Sequence, residues 1–175
     1  MKLKKLFFSM IALIAMIFAV GFNEVSADES DVIDTEAELK TALTHGGEVI
    51  LGGNIDVAET ISIPAGVTAT LDLNGFDIKG GLNGTSTTNH IYVLNNNGTL
   101  IVNDSVGTGE IISRGVYNYG SLTLNGGTID ACDSNGGYAV NNESGSTFVM
   151  NGGTVKASYD DDPTSFDTYD ATAID

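Results

Sequence analysis

The nine residues Ser121-Leu122-Thr123-Leu124-Asn125-Gly126-Gly127-Thr128-Ile129 decide the fold of this chain. Leu122 and Leu124 flank one polar position, which is the two-residue period of a strand with a single buried face. The asparagine and the two glycines that follow are typical of a tight corner. A second strand begins at Thr128, so the basic unit is a short strand, a glycine corner and another strand.

This unit repeats along the chain. Its first strand occurs at residues 70–74 (TLDLN), 99–103 (TLIVN), 121–125 (SLTLN) and 147–151 (TFVMN). A glycine-rich corner then leads to an apolar residue of a second strand, which is Ile78, Ile111, Ile129 or Val155. A third short strand precedes each of the last three copies, at 93–95, 116–118 and 139–141. The closing asparagines lie 29, 22 and 26 residues apart, a spacing typical of a repeat protein.

Three short strands and three corners in each unit predict an all-β fold, a right-handed parallel β-helix, in which each unit is one coil or rung. A single rung cannot bury its inward side chains, so rungs must stack about 4.8 Å apart with their backbones paired. The first rung is predicted over residues 48–63. Like residues then stack on like, which predicts a hydrogen-bonded asparagine ladder, although each asparagine could instead serve its own turn. Its predicted members are Asn74, Asn103, Asn125 and Asn151.

The chain begins with the three parts of a secretory signal peptide, which we assign to residues 1–27. Three lysines precede an apolar run over residues 6–20, and Val25-Ser26-Ala27 supplies a cleavage site. Cleavage would leave no membrane span, and the predicted localisation is secreted or extracellular. A retained anchor is the alternative, but the run is shorter than the roughly 20 apolar residues that a span needs.

Residues 28–46 are predicted to cap the first rung with a short amphipathic helix. Thr35 and Glu38 form a capping box, and Gly46-Gly47 ends the helix. The rungs are assigned to residues 47–157. Residues 158–175 form an acidic tail that either folds over the last rung or begins a further region of a longer protein. The apolar positions of the helix are Ala37, Leu39, Ala42 and Leu43.

Composition narrows the function classes. The formal net charge is −16, which excludes nucleic acid as a partner and would attract cations. Asp160-Asp161-Asp162 could supply oxygen ligands to calcium, which would be the cofactor. The run lacks, however, the ligand spacing of a calcium loop. A solvated acidic tail is the alternative. Cys132 is the single cysteine and excludes an internal disulfide, and His45 and His90 stand apart from other metal ligands.

Tyrosines offer the clearest candidate for a binding surface. They lie on or beside the strand that opens successive rungs, so some should align along one face. Tyrosine rings flanked by asparagine amides suit sugar rings, which present apolar faces and hydroxyl edges. Ordinary ring stacking that stabilises the fold would produce the same pattern. The four residues are Tyr92, Tyr117, Tyr119 and Tyr138.

No residue is assigned to catalysis. Asp77 and Glu110 fall in one phase of successive rungs, but their spacing selects no pair for acid and base work. The other outward carboxylates considered are Asp72, Asp130 and Asp133. The basic side chains that follow the signal peptide are Lys40, Lys79, Arg114 and Lys156.

The repeats resemble those of the pectate-lyase-like β-helix superfamily, especially its adhesin-like bacterial surface and secreted proteins. The resemblance lies in Asn125-Gly126-Gly127-Thr128-Ile129, in Asn151-Gly152-Gly153-Thr154-Val155 and in the segment 46–51 after the helix, and it covers about residues 35–157. It implies an adhesin-like, polysaccharide-binding or structural module whose partner is an extracellular glycan or surface receptor. The alternative is a polysaccharide-degrading enzyme, a calcium-dependent lyase or glycoside hydrolase, since one scaffold hosts both. Scarce basic residues favour the module.

Overall fold

The computed structural model describes residues 32–80, 92–131, 138–157 and 172–174. Within these ranges the chain forms three parallel sheets and one short helix. This all-β arrangement is consistent with the predicted parallel β-helix. The predicted signal peptide, residues 1–27, lies outside the described residues.

The strands succeed one another in sets of three, one strand in each sheet, and we call each set a rung. β1 (Val32–Ile33) and α1 (Glu36–His45) precede the rungs. The rungs are, in order, β2 (Gly47–Leu51), β3 (Ile55–Val57) and β4 (Ile61–Ile63); β5 (Thr68–Asp72), β6 (Ile78–Gly80) and β7 (Leu94–Asn96); β8 (Thr99–Asn103), β9 (Glu110–Ser113) and β10 (Val116–Asn118); β11 (Ser121–Leu124), β12 (Thr128–Ala131) and β13 (Tyr138–Asn142); and β14 (Thr147–Met150), β15 (Thr154–Lys156) and β16 (Thr172–Ile174).

Strands of consecutive rungs are hydrogen-bonded neighbours. Sheet A has the order β1-β2-β5-β8-β11-β14, sheet B the order β3-β6-β9-β12-β15, and sheet C the order β4-β7-β10-β13-β16. Inward side chains stack in columns that are fully buried, and together they make one apolar core. Its central columns are Leu71, Val102 and Leu124 in sheet A, Ile78, Ile111 and Ile129 in sheet B, and Leu94, Val116 and Val140 in sheet C.

In sheet A, the second rung is offset by two residues from the alignment that the repeat predicts. The repeat aligns Leu71 with Leu100, whereas the structure pairs Leu71 with Val102. Leu73 fills the inside of the following corner instead, where a Cβ atom added to Gly109 would lie 2.6 Å from Leu73 Cβ. Glycine in the rung above therefore leaves the space that Leu73 occupies.

Helix α1 lies over the first rung. Thr35 is its N-cap, and Thr35 Oγ1 accepts a hydrogen bond from Glu38 N at 3.3 Å. Leu39 and Leu43, one turn apart, are fully buried. Ala37 is exposed, contrary to the predicted apolar face, because two residues along a helix lead to the opposite side from Leu39.

Glu36 also attaches the helix to the first rung. Its Oε1 accepts hydrogen bonds from Ala58 N at 2.9 Å and Glu59 N at 3.2 Å, in the corner between β3 and β4. Gly46 ends the helix with a φ of 80°, and a Cβ atom there would lie 2.5 Å from Thr68 O. Only glycine fits this close approach in that conformation.

The fifth rung includes a strand that the repeat does not predict. β16 pairs with β13, with Thr172 beside Tyr138 and Ile174 beside Val140. No asparagine–glycine corner precedes it in the sequence. Met150 points inward by register but is 48% exposed, since β14 is the last strand of sheet A among the described residues.

Asparagines form a ladder on the outer face of sheet A. Asn125 Nδ2 donates to Asn103 Oδ1 and Asn151 Nδ2 donates to Asn125 Oδ1, both at 2.9 Å. Asn74 lies outside this ladder, because the two-residue offset places Asp72 beside Asn103. Asn74 instead occupies the corner with a φ of 49°, and its Nδ2 donates to Leu51 O.

A second ladder lies inside the molecule and was not predicted. Asn96 Nδ2 donates to Asn118 Oδ1, and Asn118 Nδ2 donates to Asn142 Oδ1, both at 2.7 Å. Asn96 and Asn118 are fully buried. Asn96 and Asn118 also bond to backbone groups at the corner between sheets C and A: Asn118, for example, accepts from Gly120 N and donates to Thr147 O. Asn96 and Asn118 share a sequence signal, an asparagine two residues before a glycine, which Asn142 lacks because Gly145 lies three residues after it.

Replacing Leu124 by Asp tests the inward phase. An unpaired carboxylate in the buried column should destabilise the fold by several kcal/mol and unfold the chain. Thr123→Asp places the same charge on the outer side of the same strand and should leave a cooperative melt. Thermal unfolding followed by circular dichroism checks both, and a cooperatively folded Leu124→Asp variant would show that the assigned phase is wrong.

The two asparagine ladders should differ in energetic weight. Asn118→Ala leaves buried donors and acceptors unpaired and should lower the free energy of unfolding by about 3 kcal/mol. Asn125→Ala removes an exposed amide, which water replaces, and should cost less than about 1 kcal/mol. Urea unfolding measures both losses of free energy, provided that the variants have equal m-values. Equal losses in the two variants would contradict the assigned burial.

Candidate functional site

The outer face of sheet C brings three of the four candidate tyrosines together. Tyr117 is the outward residue of β10, where it stacks directly on Asn95 of β7. Tyr119 follows the end of β10, and Tyr92 precedes β7 by two residues. Their positions follow from the strand period and from the register between rungs two and three.

The three rings form a compact group. The Tyr117 and Tyr119 rings are stacked, with centroids 4.7 Å apart and planes inclined by 23°. The Tyr92 ring meets Tyr117 edge-on, at 4.8 Å and 86°. Tyr119 is 52% exposed, so one large aromatic surface remains open to solvent beside two partly buried rings.

A cleft of about 280 Å³ opens beside these rings. It exists because the outward column changes size along the stack: Ser62 and Asn95 are small, and Tyr117 above them is large. The rings therefore form a wall next to a depression in the first two rungs. The lining residues are Thr60, Ser62, Tyr92, Asn95, Tyr117 and Tyr119.

Tyr138 does not belong to this group. It opens β13 in the fourth rung, where it pairs with Thr172, and it is not among the lining residues. The predicted tyrosine stripe thus ends at the third rung. Asn141 occupies the outward position above Tyr117, and its Nδ2 donates to the hydroxyl of Tyr92 at 3.4 Å.

Two polar side chains, Glu143 and Asn95, lie next to these rings. The Tyr117 hydroxyl donates a short hydrogen bond to Glu143 Oε1. This bond to a carboxylate, followed by contact with Tyr119 and by burial, raises the pKa of Tyr117 well above its ordinary value. Asn95 Oδ1 is buried and has no hydrogen-bond partner among the described residues.

The outer face of sheet B carries paired charges. Lys156 Nζ lies 3.4 Å from Glu110 Oε1 and 3.3 Å from Asp130 Oδ2. Burial alone would lower the pKa of Lys156, but these two carboxylates outweigh it and raise the pKa. Lys79 pairs with Asp77 at 3.5 Å. Asp77 and Glu110 do lie close together: Glu110 N donates to Asp77 Oδ1 at 3.2 Å, while the Glu110 carboxylate pairs with Lys156.

The remaining candidates lie apart from the cleft or outside the described residues. Arg114 lies in the corner between β9 and β10, and His45 Nδ1 lies 2.8 Å from Thr41 O in α1. Asp72 binds the backbone of the next corner through Ser105 N. In the described part of the chain, no three His, Cys, Asp or Glu side chains are grouped to hold a metal ion. His90, Cys132, Asp133 and the calcium candidates Asp160, Asp161 and Asp162 fall outside the described residues.

Comparison of the chain with protein-family models, with curated proteins and with solved structures finds no match. Across the described ranges, no helix has the length and apolar character that a bilayer crossing needs. The function is therefore inferred from the chemistry of the residues.

Removal of the Glu143 carboxylate should be visible in the titration of Tyr117. In Glu143→Gln the phenol loses its charged acceptor, so its pKa should fall toward about 10. Alkaline titration of the tyrosinate absorbance should then show one more tyrosine ionising in that range than in the parent chain. The exposed Glu48→Gln serves as the control, and an unchanged curve for Glu143→Gln would contradict the assigned bond.

Proposed function

We propose that this chain is a right-handed parallel β-helix of the pectate-lyase-like, adhesin-like kind, secreted or held at the cell surface, and that it binds a glycan in the tyrosine cleft. Three parallel sheets with rung-by-rung register and a helix over the first rung support the fold. The signal-peptide pattern over residues 1–27 supports export.

The observation that carries the binding proposal is the ring geometry of the cleft. The open face of Tyr119 suits the apolar C–H face of a sugar ring, and Tyr92 stands nearly perpendicular to Tyr117 as a side wall. Hydroxyl and amide groups of Ser62 and Asn95 can meet the sugar hydroxyls at its edge. Because hydrogen-bonded strands hold these groups in place, little ordering is needed on binding.

Charge pairing favours binding over cleavage. A lyase of the superfamily would need a free base beside carboxylates that hold calcium. Lys79 and Lys156 pair with carboxylates on sheet B, and Lys40 lies 3.7 Å from Glu59 near the helix. None of these three lines the cleft. The enzyme alternative gains no support from the described residues.

Binding and cleavage can be separated by one experiment. The full chain is titrated with a polysaccharide panel, with calcium and with a chelator, while ultraviolet absorbance reports unsaturated products. We expect saturable binding without product in both conditions. Calcium-dependent unsaturated products would contradict the proposal and would make Arg114 and its neighbouring acids the residues to test.

Tyr119→Ala should weaken glycan binding about five- to tenfold, because an aromatic stacking contact contributes about 1–1.5 kcal/mol. Tyr138→Ala removes the same side chain outside the cleft and should bind like the parent chain. Isothermal titration calorimetry with the tightest-binding glycan measures both. Equal affinities for the two variants would show that the cleft is not the binding site.

A further inference from the structure

Among the described residues, those that line the cleft are all neutral. Its polar atoms belong to the hydroxyls of Thr60 and Ser62, the amide of Asn95 and three phenols. No cationic side chain is among these lining residues. A carboxylate on a bound sugar would therefore lose water without gaining an ionic partner, which is costly.

In the part of the chain that the structure describes, two carboxylates lie next to residues that line the cleft. Glu143 accepts a hydrogen bond from the hydroxyl of Tyr117. Glu59, which precedes Thr60, pairs with Lys40 at 3.7 Å. The whole chain adds a net charge of −16. An anionic polysaccharide would thus meet repulsion on approach and after docking.

The buried oxygen of Asn95 points to a specific contact. A buried acceptor without a partner destabilises the free protein, and such groups are rare in folded chains. Asn95 lines the cleft, so a small movement of its side chain would let a hydroxyl of a bound sugar donate to this oxygen. An amide oxygen accepts a hydrogen bond from a sugar hydroxyl but repels a carboxylate oxygen, so this contact favours a neutral sugar.

We infer that the cleft selects a neutral saccharide over a uronate, and that Asn95 is the residue that determines this specificity. This inference rests on the proposed glycan binding. A site of this kind differs from one that recognises an acidic polysaccharide, because ring stacking and hydrogen bonds between neutral groups hold the ligand. Salt should therefore leave binding of the neutral ligand nearly unchanged.

The test compares neutral tetrasaccharides of glucose, mannose, galactose and xylose with tetragalacturonate, using calorimetry on the full chain. At least one neutral tetrasaccharide should bind ten times or more tightly than tetragalacturonate at low ionic strength, with or without calcium. Tighter binding of tetragalacturonate, lost in both Tyr119→Ala and Arg114→Gln, would overturn the inference while leaving the glycan-binding proposal intact. Failure of every glycan to bind would overturn the proposal itself.

Two variants probe the contact and the charge separately. Asn95→Leu should weaken neutral-sugar binding about tenfold, whereas Asn97→Leu, exposed and outside the lining, should not. Glu59→Lys reverses an exposed charge next to Thr60, outside the lining, and should raise tetragalacturonate affinity severalfold at low ionic strength. An unchanged neutral-sugar affinity in Asn95→Leu, or an unchanged tetragalacturonate affinity in Glu59→Lys, would contradict the inference.

Discussion

Backbone hydrogen bonds between consecutive rungs, made in one register, are the interaction on which the rest of this structure depends. No single rung has enough inward surface to form a core, so burial exists only where one rung lies on the next. The columns through Leu124, Ile129 and Val140 show the result, since each is fully buried between neighbouring rungs. The asparagine ladders run along the same direction and repeat the same register.

The cleft is a consequence of that register. Outward residues also stack in columns. In one of them Ser62 and Asn95 are small and Tyr117 is large, so the surface is lower over the first two rungs than over the third. Tyr119 stacks on the Tyr117 ring and Tyr92 contacts it edge-on, so the three rings together line one side of the cleft. Among the described residues, the cleft thus follows from the sizes of three consecutive outward residues in one column.

The sequence predicts the strands, the helix and most of the inward phase, because apolar alternation and glycine corners are local signals. It misaligns the second rung, since the place of Leu73 is decided by the glycine of another rung. It misses the inner ladder because Asn96 and Asn118 become buried only when the rungs stack. It misses β16 because no corner motif precedes that strand. Three cleft tyrosines are predicted, but not Ser62, whose importance lies in being small beneath a ring.

Cysteine cross-linking tests the register most directly. With Cys132→Ser as background, Thr70→Cys with Ile101→Cys joins positions that are paired across sheet A, within the Cα separation that a disulfide spans. Asp72→Cys with Ile101→Cys joins the positions that the sequence repeat alone would align, and these lie diagonally, beyond the roughly 7 Å limit. The account predicts rapid disulfide formation in the first pair and little in the second. The reverse result would contradict the register between the second and third rungs, on which the Leu71–Val102 column and the place of Leu73 depend.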